Sequence, residues 1–314
     1  MSELQKFDLV ILGRGAAAFS AAIKASELSN GEMTIAMIGT GPLGGTCVNV
    51  GCVPSKYLLE ASHSVFKPAH PKMAGIHETA VKYDFSEIMD GLRSYVNQAR
   101  DNKYVKVIEN YSNVKLFPGL GRFLDRKTVI IIDPEGKEFS KVSGSNILIA
   151  TGSHPATPNI KGLTDTEFLT SDTIWGIKEL PESVAIIGGG AIGLEIGQAL
   201  LHFGSKVTVI EALDYILPQT EPEIRDTLKK QLEKEGMKFY LRARVNAVSK
   251  SGNRKSIDVI THKGNEKLVV KELIVATGRQ PNTEYLNLEK AGVNTDPRGL
   301  IITSDKMQTT SPGI

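Results

Sequence analysis

The segment Phe7–Ser29, FDLVILGRGAAAFSAAIKASELS, decides the fold of this 314-residue chain. A short apolar run leads into Gly13-Arg-Gly15-Ala-Ala-Ala18, and an alanine-rich stretch follows. The pattern predicts a strand, a tight turn and a helix, because the glycines permit the turn and the close approach of a pyrophosphate. The free N–H groups and the dipole at the helix N-terminus then favour the phosphates.

A second copy of this pattern lies at Val184–Phe203, VAIIGGGAIGLEIGQALLHF. Its motif positions are Gly188, Gly190 and Gly193, each 175 residues beyond its counterpart in the first copy. A single G-x-G-x-x-G is weak evidence, whereas two copies between a strand and a helix strongly favour dinucleotide binding. The sequence therefore predicts two dinucleotide sites, which suggests two different dinucleotides.

Each copy is followed by another strand-like run, Met33–Ile38 in the first and Lys206–Ile210 in the second. The second run leads directly into Glu211, whose carboxylate can accept hydrogen bonds from a ribose 2′-OH and would repel a 2′-phosphate. This pattern favours NAD over NADP, although Glu211 can also be read as a solvated charge at a strand end. In the first copy the corresponding position is Gly39, and no acid is present.

Composition limits the classes of function. With 37 Lys and Arg against 35 Asp and Glu, the net charge is +2, which argues against nucleic acids and membrane surfaces as partners. The length predicts two domains. The polar N-terminus has no apolar signal-peptide core, and the longest apolar stretch, Val184–Leu201, contains five glycines and two polar residues. We therefore expect a cytoplasmic protein.

Both cysteines of the chain lie in Gly44–Lys56, GGTCVNVGCVPSK. Gly51 allows the chain to turn, and Pro54 suits the first turn of a helix that continues through Tyr57–Phe66. Cys52 is therefore predicted at a helix N-terminus, where the thiolate is favoured.

The cysteine pair admits three interpretations. The first is two buried thiols without chemistry. The second is a metal site, for which His63 is the nearest further ligand, although we interpret His63 as a surface helix residue. The third is a redox-active dithiol, and it fits two dinucleotide sites, because one cofactor can bring a hydride and the other can pass electrons to the thiols.

Together, Gly44–Lys56 and the two glycine motifs resemble the flavin-dependent pyridine nucleotide–disulfide oxidoreductases over essentially the whole chain. The resemblance implies an α/β fold with two Rossmann-like domains, in which parallel sheets are flanked by helices. Residues 1–150 would form the FAD-binding domain with the cysteine pair, 151–275 an inserted NAD(P)-binding domain, and 276–314 a return to the FAD domain.

The resemblance also implies the cofactors and the reaction. FAD and either NADH or NADPH would pass electrons to a disulfide formed by Cys47 and Cys52. Within the family, CVNVGCVPSK is most similar to mercuric reductases, which implies reduction of Hg(II) to Hg(0) with both cysteines as ligands of the metal substrate. Dihydrolipoamide dehydrogenase is the alternative, and Glu211 favours it.

The resemblance carries over to individual positions. Cys47, Cys52, Lys56 and Glu195 match catalytic positions. The positions that match cofactor contacts are Gly13, Gly15, Ala18, Gly41, Thr46, Lys56 and Gly121 for FAD, and Gly188, Gly190, Gly193, Glu211, Val245 and Gly278 for NAD(P).

The last expectation concerns partners. Full-length relatives are homodimers, and the sequence ends at Ile314, before the C-terminal dimerisation domain of the family. We therefore expect a small-molecule or metal-ion substrate, no nucleic-acid or membrane partner, and no proper dimer. A truncated, non-catalytic nucleotide-binding fragment is a further alternative.

Overall fold

A computed structural model describes residues 3–314 of the chain. Its packing defines two compact units. The first contains the residues up to Asn49 together with Val96–His154 and Gln280–Ile314, and the second contains Val50–Tyr95 and Pro155–Arg279. Residues 50–95, which the sequence analysis places in the first domain, pack in the second unit. The sequence-based domains were defined by the cofactor that each is expected to bind, whereas the two units are defined by packing. The assignment of FAD and NAD(P) to the domains stays a prediction.

Sixteen strands are found within residues 3–314. They are β1 (Leu4–Leu12), β2 (Ile35–Gly39), β3 (Val114–Pro118), β4 (Leu120–Phe123), β5 (Thr128–Ile132), β6 (Glu138–Ile149), β7 (Ser153–Pro155), β8 (Leu169–Thr170), β9 (Ser183–Ile187), β10 (Lys206–Ile210), β11 (Lys238–Tyr240), β12 (Arg244–Ser251), β13 (Arg254–Thr261), β14 (Gly264–Val270), β15 (Glu272–Val275) and β16 (Arg279–Pro281).

The same residues form seven α-helices. They are α1 (Ala16–Leu28), α2 (Gly45–Asn49), α3 (Cys52–Ala69), α4 (Phe85–Arg100), α5 (Lys106–Ile108), α6 (Ala191–His202) and α7 (Pro222–Glu235). A π-helical turn over Asp101–Val105 joins α4 to α5, and 3-10 turns occur at Ile174–Gly176 and Leu288–Ala291. No helix within residues 3–314 is long and apolar enough to cross a membrane.

The sheet of the first unit has six strands in the order β3-β2-β1-β6-β5-β4. The strands β3, β2, β1 and β6 run parallel, whereas β4 and β5 are antiparallel to their neighbours. The parallel part agrees with the fold that the resemblance implies, and two antiparallel strands extend it into a mixed sheet. The physical reason is the short connections between β4, β5 and β6, which permit only antiparallel pairing, since a parallel crossover needs a dozen or more residues.

The second unit contains a five-stranded parallel sheet in the order β11-β10-β9-β15-β8 and a three-stranded antiparallel sheet, β12-β13-β14. The central strand β9 is apolar because both of its faces are covered, and Val184, Ala185 and Ile186 are fully buried in it. The predicted α/β fold is confirmed in both units.

The two repeats predicted from the sequence form the elements expected of them. In the first, β1 leads through Gly13 into α1 and then β2, and in the second β9 leads through Gly188 into α6 and then β10. The highly charged helix α7 has mostly exposed residues.

Candidate functional site

Both glycine motifs begin with a turn that a side chain would block. Gly13 has φ +138°, and a Cβ atom there would lie 2.1 Å from the Ala150 carbonyl oxygen. Gly188 has φ +111°, and its Cβ would lie 2.3 Å from the Ala276 carbonyl oxygen. In each unit the parallel strand next to the motif therefore approaches the turn so closely that only glycine fits.

The remaining motif positions fit a bound dinucleotide. Gly190 is the N-cap of α6, and a Cβ atom placed there would meet nothing within 4 Å, which leaves the space above the helix N-terminus open to a pyrophosphate. Gly193 faces inward, since its Cβ would lie 2.6 Å from the Gly188 carbonyl oxygen. In the first motif Ala18 is fully buried, and a Cβ at Gly15 would lie at an ordinary contact distance of 3.6 Å from Gly45 Cα.

Glu211 lies directly after β10 and turns its carboxylate toward the second motif. Its Oε2 accepts a hydrogen bond of 2.7 Å from the backbone N–H of Gly189, and its Oε1 accepts one of 2.9 Å from Leu213 N–H. Glu211 is half-buried, so the reading of it as a simply solvated charge does not fit. The carboxylate therefore lies beside the glycine turn of the second motif.

The other predicted cofactor positions have different surroundings. Gly121 is buried in β4, where a Cβ atom would lie 2.7 Å from Leu12 Cδ2, and its contact with FAD stays a prediction. Val245 begins an irregularity in the pairing of β12 and packs against the core of the second unit. Gly278 follows β15 with φ +120° and is exposed, and a Cβ atom placed there would meet nothing within 4 Å.

Cys47 lies in α2, which the preceding glycines hold against the first motif. Gly44 N–H donates a 3.0 Å hydrogen bond to the Arg14 carbonyl, and a Cβ at Gly45 would lie 2.6 Å from Gly15 Cα. The Asn49 side chain closes the segment, because its Nδ2 donates 2.9 Å hydrogen bonds to the carbonyls of residues 43 and 45. Cys47 and the neighbouring Thr46 are exposed on this short helix.

Cys52 is the first residue of α3, as the sequence predicted, and the structure shows that it is exposed. One turn later, Lys56 Nζ lies 2.6 Å from Oε1 of Glu195, a residue of α6. The chain just before Cys52 is also held, because Trp175 Nε1 donates a 2.9 Å hydrogen bond to the Val50 carbonyl. The second unit therefore joins the helix that begins with Cys52 to the helix of the second dinucleotide motif.

The far ends of α3 and α6 meet in a group that the sequence analysis missed. His63, interpreted as a surface residue, is half-buried, and its ring centroid lies 5.4 Å from that of His202. His202 is buried and its Nε2 lies 3.0 Å from Glu235 Oε2, while burial lowers the pKa of its imidazole. Since Glu235 is 33 residues distant on α7, no local pattern could reveal this pair.

Within residues 3–314, no group of three or more His, Cys, Asp or Glu side chains is placed to hold a metal ion.

The comparisons with known proteins agree with this architecture. The family model described as pyridine nucleotide-disulphide oxidoreductase matches residues 7–314. A mercuric reductase from Lysinibacillus sphaericus is 37% identical over 308 residues, which is 98% of this chain and 55% of that protein. A mitochondrial dihydrolipoyl dehydrogenase from Pisum sativum is 34% identical over 312 residues, which is 98% of this chain and 61% of that protein.

Among solved structures, a Cu(II) complex of the HOCl-induced flavoprotein disulfide reductase RclA from Escherichia coli superposes with a TM-score of 0.86 at 29% identity. The match covers 98% of this chain and 65% of that chain. This chain spans about half the length of the mercuric reductases that it matches.

Proposed function

Since the chain belongs to the pyridine nucleotide-disulphide oxidoreductase family, we propose that it passes two electrons from NAD(P)H, through FAD, to a redox pair formed by Cys47 and Cys52. FAD, when bound, supplies the two-electron chemistry that links a hydride donor to a thiol pair. The first glycine motif would hold FAD and the second NAD(P)H. The pair and its reductant favour the reducing cytoplasm as the compartment.

The observation that carries the proposal is the contact between Lys56 and Glu195, at 2.6 Å. It joins two helices one turn after the start of each, and the two helix N-termini have different roles. One helix begins with Cys52, and the other receives the pyrophosphate of the nicotinamide nucleotide at its N-terminus. The ion pair therefore keeps the thiol end of α3 next to the nucleotide end of α6.

The residues of the chain have distinct roles in this reaction. The open space at Gly190 admits the pyrophosphate, and Glu211 accepts hydrogen bonds from the ribose hydroxyls. Cys52 is exposed at the start of α3, one turn before Lys56. Cys47 is only five residues away and exposed, so it can meet a substrate from solution.

We propose Hg(II) as the substrate. Hg(II) is a soft cation that prefers thiolate ligands, so Cys47 and Cys52 would each lose a proton and bind it through sulfur. The overall reaction balances as NAD(P)H and Hg(II) giving NAD(P)⁺, one proton and Hg(0). The similarity to mercuric reductases over 98% of the chain supports this choice.

A second candidate, dihydrolipoamide oxidation, has its own support. Glu211 faces the second motif and favours NAD(H), and a plant dihydrolipoyl dehydrogenase is 34% identical. In that reaction the dithiol of the substrate would exchange with a Cys47–Cys52 disulfide, and NAD⁺ would accept the two electrons.

One experiment separates the two candidates. The purified chain is supplied with FAD and assayed anaerobically for NAD(P)H oxidation with HgCl₂ or with lipoamide. The expected result is one NAD(P)H oxidised per Hg(0) formed, with loss of turnover in Cys52→Ser and retention in Ser55→Ala, the matched neighbour. Faster turnover with lipoamide supports the alternative. Turnover with neither acceptor, despite bound FAD, contradicts both.

A further inference from the structure

The register of the two parallel sheets shows which residues of the two motifs correspond. In the first unit, Leu12 pairs with Ile38, and Gly13 N–H donates a 2.7 Å hydrogen bond to the Ile38 carbonyl. In the second unit, Ile187 pairs with Ile210, and the N–H of residue 188 donates a 2.9 Å hydrogen bond to the Ile210 carbonyl. The residue that follows Ile38 is therefore equivalent to the residue that follows Ile210, and Gly39 occupies the place of Glu211.

In each motif a single large side chain occupies the space between the turn and the end of the second strand, but it comes from a different element in each. In the second motif, Glu211 reaches toward Gly189, and a Cβ atom at Gly189 would lie 3.2 Å from Glu211 Oε2. In the first motif the large side chain is that of Arg14, which lies in the turn. A Cβ atom at Gly39 would lie 2.6 Å from Arg14 Cγ. A side chain at position 39 is therefore incompatible with this Arg14 conformation. An acidic side chain therefore lies beside the turn in the second motif, and a basic side chain lies there in the first.

The contacts of Arg14 leave part of its hydrogen-bonding capacity unused. Its Nη1 donates a 3.1 Å hydrogen bond to the Gly41 carbonyl, whereas its buried Nε has no hydrogen-bond partner among residues 3–314. No carboxylate pairs with it among the ion pairs of the described residues, and burial lowers the pKa of its guanidinium. The backbone of Arg14 is fixed by Gly44 N–H, so the side chain starts from a defined place beside the turn. A half-buried cation held by a neutral carbonyl is stabilised by any anionic group that binds next to it.

We propose that Arg14 recognises the adenosine ribose of the dinucleotide in the first motif, in the place that a carboxylate takes in the second. A guanidinium donates where a carboxylate accepts, so the first motif favours a ribose that carries a 2′-phosphate over one that does not. The second motif has the opposite preference because of Glu211. NADPH and other 2′-phosphorylated adenosine nucleotides therefore compete with FAD at the first motif. This inference rests on the proposed function in one respect, the assignment of FAD to the first motif.

The inference is tested by displacement of FAD, followed by its fluorescence anisotropy, with 5′-ADP or 2′,5′-ADP as competitor. The wild-type chain is expected to release FAD at a concentration of 2′,5′-ADP about tenfold lower than the concentration of 5′-ADP that is needed. This factor corresponds to one charge-assisted hydrogen bond to the 2′-phosphate. Arg14→Met should abolish this ratio and Arg14→Lys should retain part of it. Arg298→Met is the matched control, because Arg298 is an exposed arginine in the same unit. It should behave like the wild type.

Equal displacement by the two competitors in the wild type, or an unchanged ratio in Arg14→Met, overturns the inference. Thermal unfolding of Arg14→Met shows whether the variant is folded, and Arg14→Lys preserves the test if it is not. Calorimetric titration with 2′,5′-ADP and 5′-ADP measures the preference and its dependence on Arg14 directly. If FAD does not bind at all, the proposed function fails, and the titration still decides the role of Arg14.

Discussion

Lys56 Nζ and Glu195 Oε1 lie 2.6 Å apart, although 139 residues separate them in the chain. The pair joins α3 to α6 in the second unit, near the ends where Cys52 and the second glycine motif lie. Both side chains are substantially exposed, 61% for Lys56 and 38% for Glu195. An exposed ion pair adds little to the free energy of unfolding. We therefore expect the Lys56–Glu195 pair to affect the rate of the reaction more than the stability of the fold.

Substitution Lys56→Met should therefore separate activity from stability. We expect the free energy of unfolding to change by less than about 1 kcal/mol. The rate of NAD(P)H oxidation should fall about tenfold, which corresponds to an activation barrier about 1.4 kcal/mol higher. The reason is that Glu195 is left without its positive partner, as a negative charge close to the path of the electrons to the thiols. Steady-state rates and urea unfolding measure the two quantities. Lys67→Met, at an exposed position of the same helix, is the control and should change neither. Unchanged turnover in Lys56→Met would show that the Lys56–Glu195 pair has no role in the reaction.

Two glycine substitutions should have opposite effects. Gly190→Ala places a methyl group in open space at an ordinary φ of −79°, so stability should hold while NADH affinity falls at least about tenfold. Gly13→Ala forces a Cβ to within 2.1 Å of a carbonyl at φ +138°, so it should destabilise the fold by about 1–3 kcal/mol. Calorimetric binding and thermal unfolding check both. Gly176→Ala, also in open space, is the control for Gly190→Ala. NADH binding that is equally strong in Gly190→Ala would show that no pyrophosphate lies over that glycine.

The carboxylate of Glu211 should determine the choice of nicotinamide nucleotide. We expect the wild-type chain to prefer NADH, and Glu211→Gln to lower the ratio of the NADPH to NADH KM values about ten- to a hundredfold, since charge repulsion of the 2′-phosphate is removed. KM values for both coenzymes with one acceptor test this. Glu223→Gln, on the exposed face of α7, should leave the ratio unchanged. An NADPH preference in the wild type would mean that Glu211 does not face the ribose.

Stability should depend on pH through His202. Burial lowers the pKa of His202 below its ordinary value of 6.5, with Glu235 opposing this shift and His63 and His70 adding to it. The unfolded chain therefore binds more protons than the folded chain between the lowered pKa and about 6.5, so stability rises with pH through this window. Hydrogen bonds from Gln231, Gln198 and His202 outweigh burial and lower the pKa of Glu235, whose contribution is lost only at more acidic pH.

The variant His202→Gln keeps a donor for Glu235 and removes the titrating ring. Its free energy of unfolding should be less dependent on pH than that of the wild type as the pH falls below about 6.5. His262→Gln, at an exposed site, is the control. Identical pH profiles for His202→Gln and the wild type would contradict the assignment.

Several parts of this structure were predictable from the sequence because they depend on local patterns. The strands and helices around Gly13 and Gly188 follow from glycine spacing and apolar runs, and Cys52 begins a helix because Gly51 and Pro54 favour one there. Other features depend on residues far apart in the chain. The incompatibility of Arg14 with a side chain at residue 39 arises from packing between the turn after β1 and the end of β2. The contact of His202 with residue 235 joins two helices. The two antiparallel strands of the first sheet were missed because the apolar pattern alone does not give strand direction.

The central claim is that electrons from NAD(P)H reach Cys47 and Cys52, and a count of thiols tests it most directly. The chain has only two cysteines, so the count has no background from other thiols. The FAD-loaded chain is air-oxidised, treated anaerobically with NADH or buffer, denatured, and titrated with a thiol reagent. The account predicts no reactive thiol without NADH and two per chain after it, with one thiol in both conditions for Cys52→Ser. Two thiols per chain before NADH is added, or none after it with FAD bound, would contradict the account.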